Sequence, residues 1–264
     1  GFKVAPETMA LCQRMVAAGE VDALVPERVW QELAKALMEP SPEVFITVLR
    51  ECGALARLMP EVDRLFGIPQ PPQHHPEIDT GVHVLLALRQ AARLSDDLCV
   101  RFAVLVHDLG KGTTPPEELP RHRGHEHRGV PLVEALCRRL RAPNDCRDLG
   151  CLVAKLHLHC HTAFQLRPQT VLKLFEQLDA FRRPQRLEQF VRACEADARG
   201  RTGLEDRPYP QADYLREAHA AAMEVSGGSF ARQGLKGTAV AEAVRQERIA
   251  RIAAIKQRWQ QQGE

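Results

Sequence analysis

"FAVLVHDLGKG", residues 102–112, sets a histidine and an aspartate side by side at the end of an apolar run. On a helix advancing about 100° per residue, Leu98, Phe102, Leu105 and Leu109 line one face. Val100, Val104 and Val106 cover most of the rest. A helix apolar nearly all round is a buried one. The spacing therefore predicts a central helix over 98–109, ended by Gly110 as a left-handed cap. His107 and Asp108 fall at its C-terminal end, where an aspartate is disfavoured both by burial and by the negative end of the helix dipole. For the dipeptide alone, a buried His–Asp hydrogen bond is the simplest resolution. A divalent cation is the other, because it neutralises the carboxylate and uses the imidazole lone pair.

Working outward, the flanking segments also read as helices. "PERVWQELAKALM" (26–38) has Pro at a helix start and apolar residues at Val29, Leu33 and Leu37. Residues 41–59 read as one helix, with Ser41 as cap and Pro42 in the first turn. Strand-like alternation is missing, so the expected fold is all-α. "GIPQPPQHHPEID" (67–79) carries four prolines in thirteen residues and reads as a boundary. Further breaks fall at 110–129 and 199–213, ahead of a helical tail. The expected division is 1–72, 73–205 and 206–264.

The composition excludes several classes. Of 264 residues, 44% are hydrophobic and 27% charged, as in ordinary globular proteins. No stretch approaches the ~20 apolar residues of a membrane span, and no signal peptide is seen, so the reading is a cytoplasmic protein. The opening "GFKVAPETMA" reads as part of a longer chain. The eight cysteines form no Cys-x-x-Cys pair, so reduced thiols are expected and a cysteine zinc site is not. Net charge is only +2, but 29 of the 36 basic residues are arginine, whose planar fork suits phosphate. A GC-rich genome explains the same bias, so a nucleic-acid partner is permitted rather than demanded.

Ten of the eleven histidines lie between His74 and His161. His83 falls at the border of the apolar face of its helix, which Asp79 or Thr80 caps. Asp197 falls about 20° from Phe190 on its own helical wheel, an acid pointing inward. His157 and His161, four apart, share a face, while "RHRGHEHRG" (121–129) places three histidines in a flexible connection. Singly, each is more often structural or exposed. Jointly they point to a metal, and hard and borderline donors mixed in this way suit Mg²⁺, Mn²⁺, Ni²⁺, Fe or Zn²⁺. Losing that metal is expected to strand Asp197 unpaired, so that Asp197→Asn tolerates heat in chelator better than the parent.

The order His83, His107-Asp108, Asp197, with the central "HDLGKG", resembles the HD superfamily of metal-dependent phosphohydrolases. "ERVWQELAKAL", "LRECGALARLMPEVDRLFG", "HPEIDTGVH", "VRFAVLVHDLGKGTTP", "GHEHRGV" and "EADARGRTG" extend the resemblance to the C-terminal portion of the bacterial multifunctional CCA family. Those are tRNA nucleotidyltransferases with a fused HD domain. The resemblance implies neck and body helices, a helical HD bundle and a tail. It also implies an enzyme that removes 2′,3′-cyclic phosphate and 2′-phosphate from tRNA 3′ ends.

The same resemblance assigns the metal (Mg²⁺ or Ni²⁺ foremost, Mn²⁺ next) to His83, His107, Asp108 and Asp197. Asp108 also serves as partial base, and Lys111 reaches the phosphate. Arg199 and Arg201, which follow the last ligand, are expected either to hold other phosphates or to lie in a solvated loop, and His125 and His157 carry over as second-metal or substrate contacts. The nucleotidyltransferase motifs of the family's head are not in this sequence, so its CTP and ATP site is not expected here. A general nucleotidase on free nucleotides, and a non-catalytic tRNA-binding arm, are the alternatives. A homo-oligomer is left open.

Overall fold

In the computed structural model, residues 3–73 and 75–262 are described. Fourteen α-helices follow one another: α1 (Pro6–Ala17), α2 (Pro26–Met38), α3 (Pro42–Glu51), α4 (Ala54–Leu58), α5 (Pro60–Asp63), α6 (Thr80–Leu94) and α7 (Leu98–Val106). Then come α8 (His125–Leu140), α9 (Asn144–His161), α10 (Pro168–Gln177), α11 (Gln185–Arg199), α12 (Pro210–Met223), α13 (Gly227–Arg232) and α14 (Thr238–Gln262). Among the described residues there is no β-strand, only an isolated bridge between Pro69 and Asp79. The fold is all-α. No helix among them is long and apolar enough to cross a membrane.

Two compact units result. The first gathers residues 1–155 and 192–207, the second 156–191 and 208–264. In the second, the ring of Phe164 lies 5.2 Å from that of Tyr214 and 5.7 Å from that of Trp259 on α14.

α7 is the buried axis of the first unit. Val100 to Val106 are all inaccessible, and Trp30 of α2 meets Phe102 edge-on at 5.2 Å. Asp97 starts the helix by accepting the N–H groups of Cys99 and Val100 at 2.8 and 3.2 Å. One buried residue breaks the apolar pattern. Arg101 donates to Leu37 O, Glu39 O, Ala92 O and Ser95 O, at 2.7–3.2 Å. These are carbonyls at the C-terminal ends of α2 and α6, which helices leave without partners. Arg101→Leu is expected to strand them and to lower stability by about 3 kcal/mol, at ~1–3 kcal/mol per orphaned group shared among several. Urea unfolding with the slope unchanged checks this.

Three expectations about the backbone are corrected. Residues 41–59 are not one helix: Gly53 takes φ +81 between α3 and α4, a turn that favours glycine, and Ser41 makes no side-chain cap bond. The 98–109 helix stops at Val106, and Leu109–Thr113 is a 3-10 turn instead of a capped end. Gly110 is not left-handed there. A Cβ on it would overlap the carbonyl oxygen of His125 and lie 2.7 Å from Gly129 N, so glycine is required by close backbone approach of α8. The cysteines are not all reduced either. Cys99 and Cys146, at the starts of α7 and α9, form a disulfide, because those two starts bring their Cα atoms to 4.4 Å.

Candidate metal centre

The Pro-rich stretch 67–79 contributes residues to the site. Gln70 N–H donates to Ile78 O at 2.7 Å, folding the stretch on itself. It is then fastened to the start of α6. Asp79 accepts the N–H of Val82 at 2.9 Å and of Gly67 at 2.5 Å, and Thr80 Oγ1 donates to Ile68 O at 2.9 Å. Gly81 is seated under the Phe66 ring with no room for a Cβ. His83, expected at the edge of the apolar face, is therefore fully buried, because this loop lies over it.

Three buried groups from α6, the end of α7 and α11 converge. His83 Nε2 lies 3.0 Å from Asp197 Oδ1, and His107 Nε2 lies 3.7 Å from Asp197 Oδ2. One donor atom from each of the three falls within 4.8 Å of the others. His107 Nε2 is also 3.1 Å from Asp108 Oδ2. The opposite nitrogens are held from outside: His107 Nδ1–H donates to Val104 O at 2.7 Å, and His83 Nδ1 stands 2.9 Å from Glu77 Oε1. An imidazole anchored at one nitrogen presents the other as a fixed lone pair, the arrangement a metal ligand needs. Two imidazoles and two carboxylates, none more than 4% exposed, form a donor set that fits a divalent ion.

The electrostatics agree. Burial opposes charge on His107, yet the carboxylates of Asp108 and Asp197 outweigh it and raise the imidazole to about 9. Burial would raise Asp108, but His107 and Lys111 outweigh it and hold the carboxyl well below its usual range. Two buried carboxylates thus demand positive charge, and a proton on His107 stands where a cation can. Asp197 is accordingly not stranded without metal, since His83 and His107 both face it. That removes the expectation that Asp197→Asn gains heat tolerance in chelator.

The remaining expected residues are placed unequally. Lys111 is buried, with Nζ 2.7 Å from Asp108 Oδ2 and 2.6 Å from Gln70 Oε1. His125 is not in a flexible connection but opens α8. Its Nδ1–H donates to His122 O at 2.7 Å, and Nε2 lies 3.4 Å from Asp108 Oδ1. Burial lowers the His125 imidazole, and takes His75 and His122 down to about 4. Arg199 pairs with Glu195 at 2.8 Å, and Arg201 is half-buried in the turn after α11. His157 is buried on α9 in the second unit, where its ring lies 5.9 Å from that of His161.

Glu77 and Gln70 went unread in the sequence. Both sit in a proline-rich loop, and no periodicity assigns a loop residue a direction.

Two family matches cover most of the chain. Residues 80–197 match the HD domain, and residues 1–66 match a family described as "Probable RNA and SrmB- binding site of polymerase A". Among similar proteins, the Multifunctional CCA protein of Alkalilimnicola ehrlichii is 66% identical over 97% of this chain and 62% of its own length. That of Thioalkalivibrio sulfidiphilus is 62% identical over 98% of this chain and 63% of its own length. The Pseudomonas aeruginosa protein of the same name is 55% identical over 97% and 63%. The chain thus spans somewhat under two thirds of the length of these relatives.

Proposed function

We propose that the chain belongs to the family of multifunctional CCA proteins and that its HD domain is a metal-dependent phosphohydrolase acting on tRNA 3′ ends. The reactions proposed are removal of a 2′,3′-cyclic phosphate and of a 2′-phosphate. The observation that carries this reading is the convergence of His83, His107 and Asp197, with His107 Nδ1–H on Val104 O and His83 Nδ1 2.9 Å from Glu77 Oε1. Residues 1–66 supply the RNA-binding part of the proposal, as neck and body helices ahead of the HD bundle and tail.

His83, His107, Asp108 and Asp197 would hold the ion; the donor set suits a divalent metal, and the family resemblance puts Mg²⁺ or Ni²⁺ first and Mn²⁺ next. When bound, the ion supplies Lewis-acid charge to water and phosphoryl oxygen. Asp108 is held as a carboxylate by Lys111 and would serve as partial base toward the attacking water. Lys111 Nζ has one hydrogen on Asp108 and one on Gln70, which leaves a third to donate to a phosphate oxygen as a fixed point charge. Its burial argues for a charge aimed at the reacting phosphate and not at a distant one. His125, with Nε2 toward Asp108, and His157 are the proposed further substrate or second-metal contacts. Arg199 and Arg201 are proposed to neutralise more distant phosphates.

Metal content of the purified chain, paired with phosphate release from tRNA ends and from free 2′,3′-cyclic nucleotides, tests the reading. Faster release from tRNA ends is expected, whereas equal rates on both would favour a general nucleotidase. Binding of tRNA with no release from any substrate would leave only an RNA-gripping arm. Asp197→Asn is expected to lose stoichiometric metal and, with it, phosphate release. Elemental analysis after dialysis reads this, and a variant that keeps one ion per chain removes Asp197 from the site.

A further inference from the structure

We propose that Glu77 is a positioning residue for the metal centre, fixing His83 so that Nε2 faces Asp197 and tying the turn after α11 to the same carboxylate. The inference rests on the metal-dependent reading of the HD domain. Glu77 Oε1 stands 2.9 Å from His83 Nδ1 and 3.0 Å from His75 Nδ1, while Oε2 accepts the N–H of Thr202 at 3.3 Å. Its side chain is only 1% exposed. Two imidazoles face this buried carboxylate, where a structural acid would ordinarily face an arginine or lysine.

The backbone around Glu77 is held in an unfavourable shape. Ile78, the next residue, has φ +60, a left-handed conformation that a β-branched side chain rarely adopts and that costs roughly 1–3 kcal/mol. Bonds from Ile78 N–H to His75 O at 2.9 Å and from Gln70 N–H to Ile78 O hold it there. The result turns Glu77 inward and leaves Ile78 outward, 47% exposed. A carboxylate on Nδ1–H fixes the tautomer and orientation of an imidazole and raises the basicity of Nε2.

The same atoms admit a different use. His75, Glu77 and His83 each offer a donor atom within 4.8 Å of the others, so direct binding of an ion by Glu77 is the competing use. His83 Nε2, however, already faces Asp197, which assigns Nδ1 to the outer partner. The two uses predict different spectra.

Cobalt(II) is titrated into the 264-residue chain against a competing chelator, following d–d absorption, for the parent, Glu77→Ala and Glu77→Gln. Glu77→Ala is expected to bind cobalt about 10–100-fold more weakly, the usual loss for an outer partner of a ligating histidine. Glu77→Gln keeps an acceptor for Nδ1–H, so it should recover most of that loss with the parent's spectrum. Circular dichroism reports whether each variant folds. Long-range ¹H–¹⁵N spectra of the zinc-loaded parent need no variant, and should show His83 protonated on Nδ1. Affinity unchanged in Glu77→Ala, a changed cobalt spectrum in Glu77→Gln, or His83 bound through Nδ1 would each overturn the proposal. A parent that binds no metal would overturn this proposal and the enzymatic reading together. A parent that binds metal but releases no phosphate would overturn only the latter.

Discussion

His107→Ala should abolish both metal retention and phosphate release while leaving the helices in place. His107 sits at the C-terminal end of α7 with Nδ1–H fixed on Val104 O, so its Nε2 cannot be replaced by a neighbour swinging in. Outer partners of ligands are worth about 10–100-fold in affinity, and loss of a ligand itself should exceed that. The variant has a second consequence. Without the imidazole, Asp108 and Asp197 keep fewer positive partners in a buried place, and stranding a buried charge costs roughly 3–5 kcal/mol. The metal-free variant should therefore also melt earlier than the metal-free parent. Asp108→Ala reaches the same loss of activity by a different route, because Lys111 then keeps only Gln70. Full activity in either variant would remove this site from the mechanism.

Gly200→Ala is expected to disturb the same centre without touching any ligand. A Cβ on Gly200 would lie 2.5 Å from Ala87 Cα and 2.6 Å from Ala87 N, backbone atoms that cannot rotate away. The end of α11 must then move off α6. Asp197 lies three residues before Gly200 and His83 four before Ala87, so the movement acts on the 3.0 Å approach between those side chains. The stability loss should reach or exceed the ~1–3 kcal/mol typical of an overpacked core. Metal affinity should fall together with it. Adding Ala87→Gly should not restore either, since the clash is with Cα and N. A Gly200→Ala chain with parental melting and metal affinity would show that the two helices are held apart by something else.

Much of the architecture was legible because it rests on periodicity. α2 begins at Pro26 and ends at Met38 as its apolar spacing and proline start require. The all-round apolar run that became α7 announced burial, and Asp197 beside the Phe190 and Cys194 face announced an inward acid. What periodicity does not encode was misread. Gly53 broke an apolar run whose period continued through it, and Gly110 looked like a helix cap because a sequence does not show the His125 carbonyl behind it. The Cys99–Cys146 pair gave no local sign, being 47 residues apart and made adjacent only by the packing of two helix starts.

By itself the sequence determined an all-α chain built on a buried α7, and the presence of inward histidines and acids, because side-chain period and burial are local consequences of residue order. Tertiary structure alone decided which nitrogen of each histidine faces Asp197, that Glu77 and Gln70 reach the centre from a proline-rich loop, and that Lys111 is tied to Asp108. Those choices depend on contacts between segments as far as 114 residues apart. They are fixed by loop paths and by backbone approaches at Gly110 and Gly200, where the absence of a side chain, and nothing in the pattern around it, sets the distance.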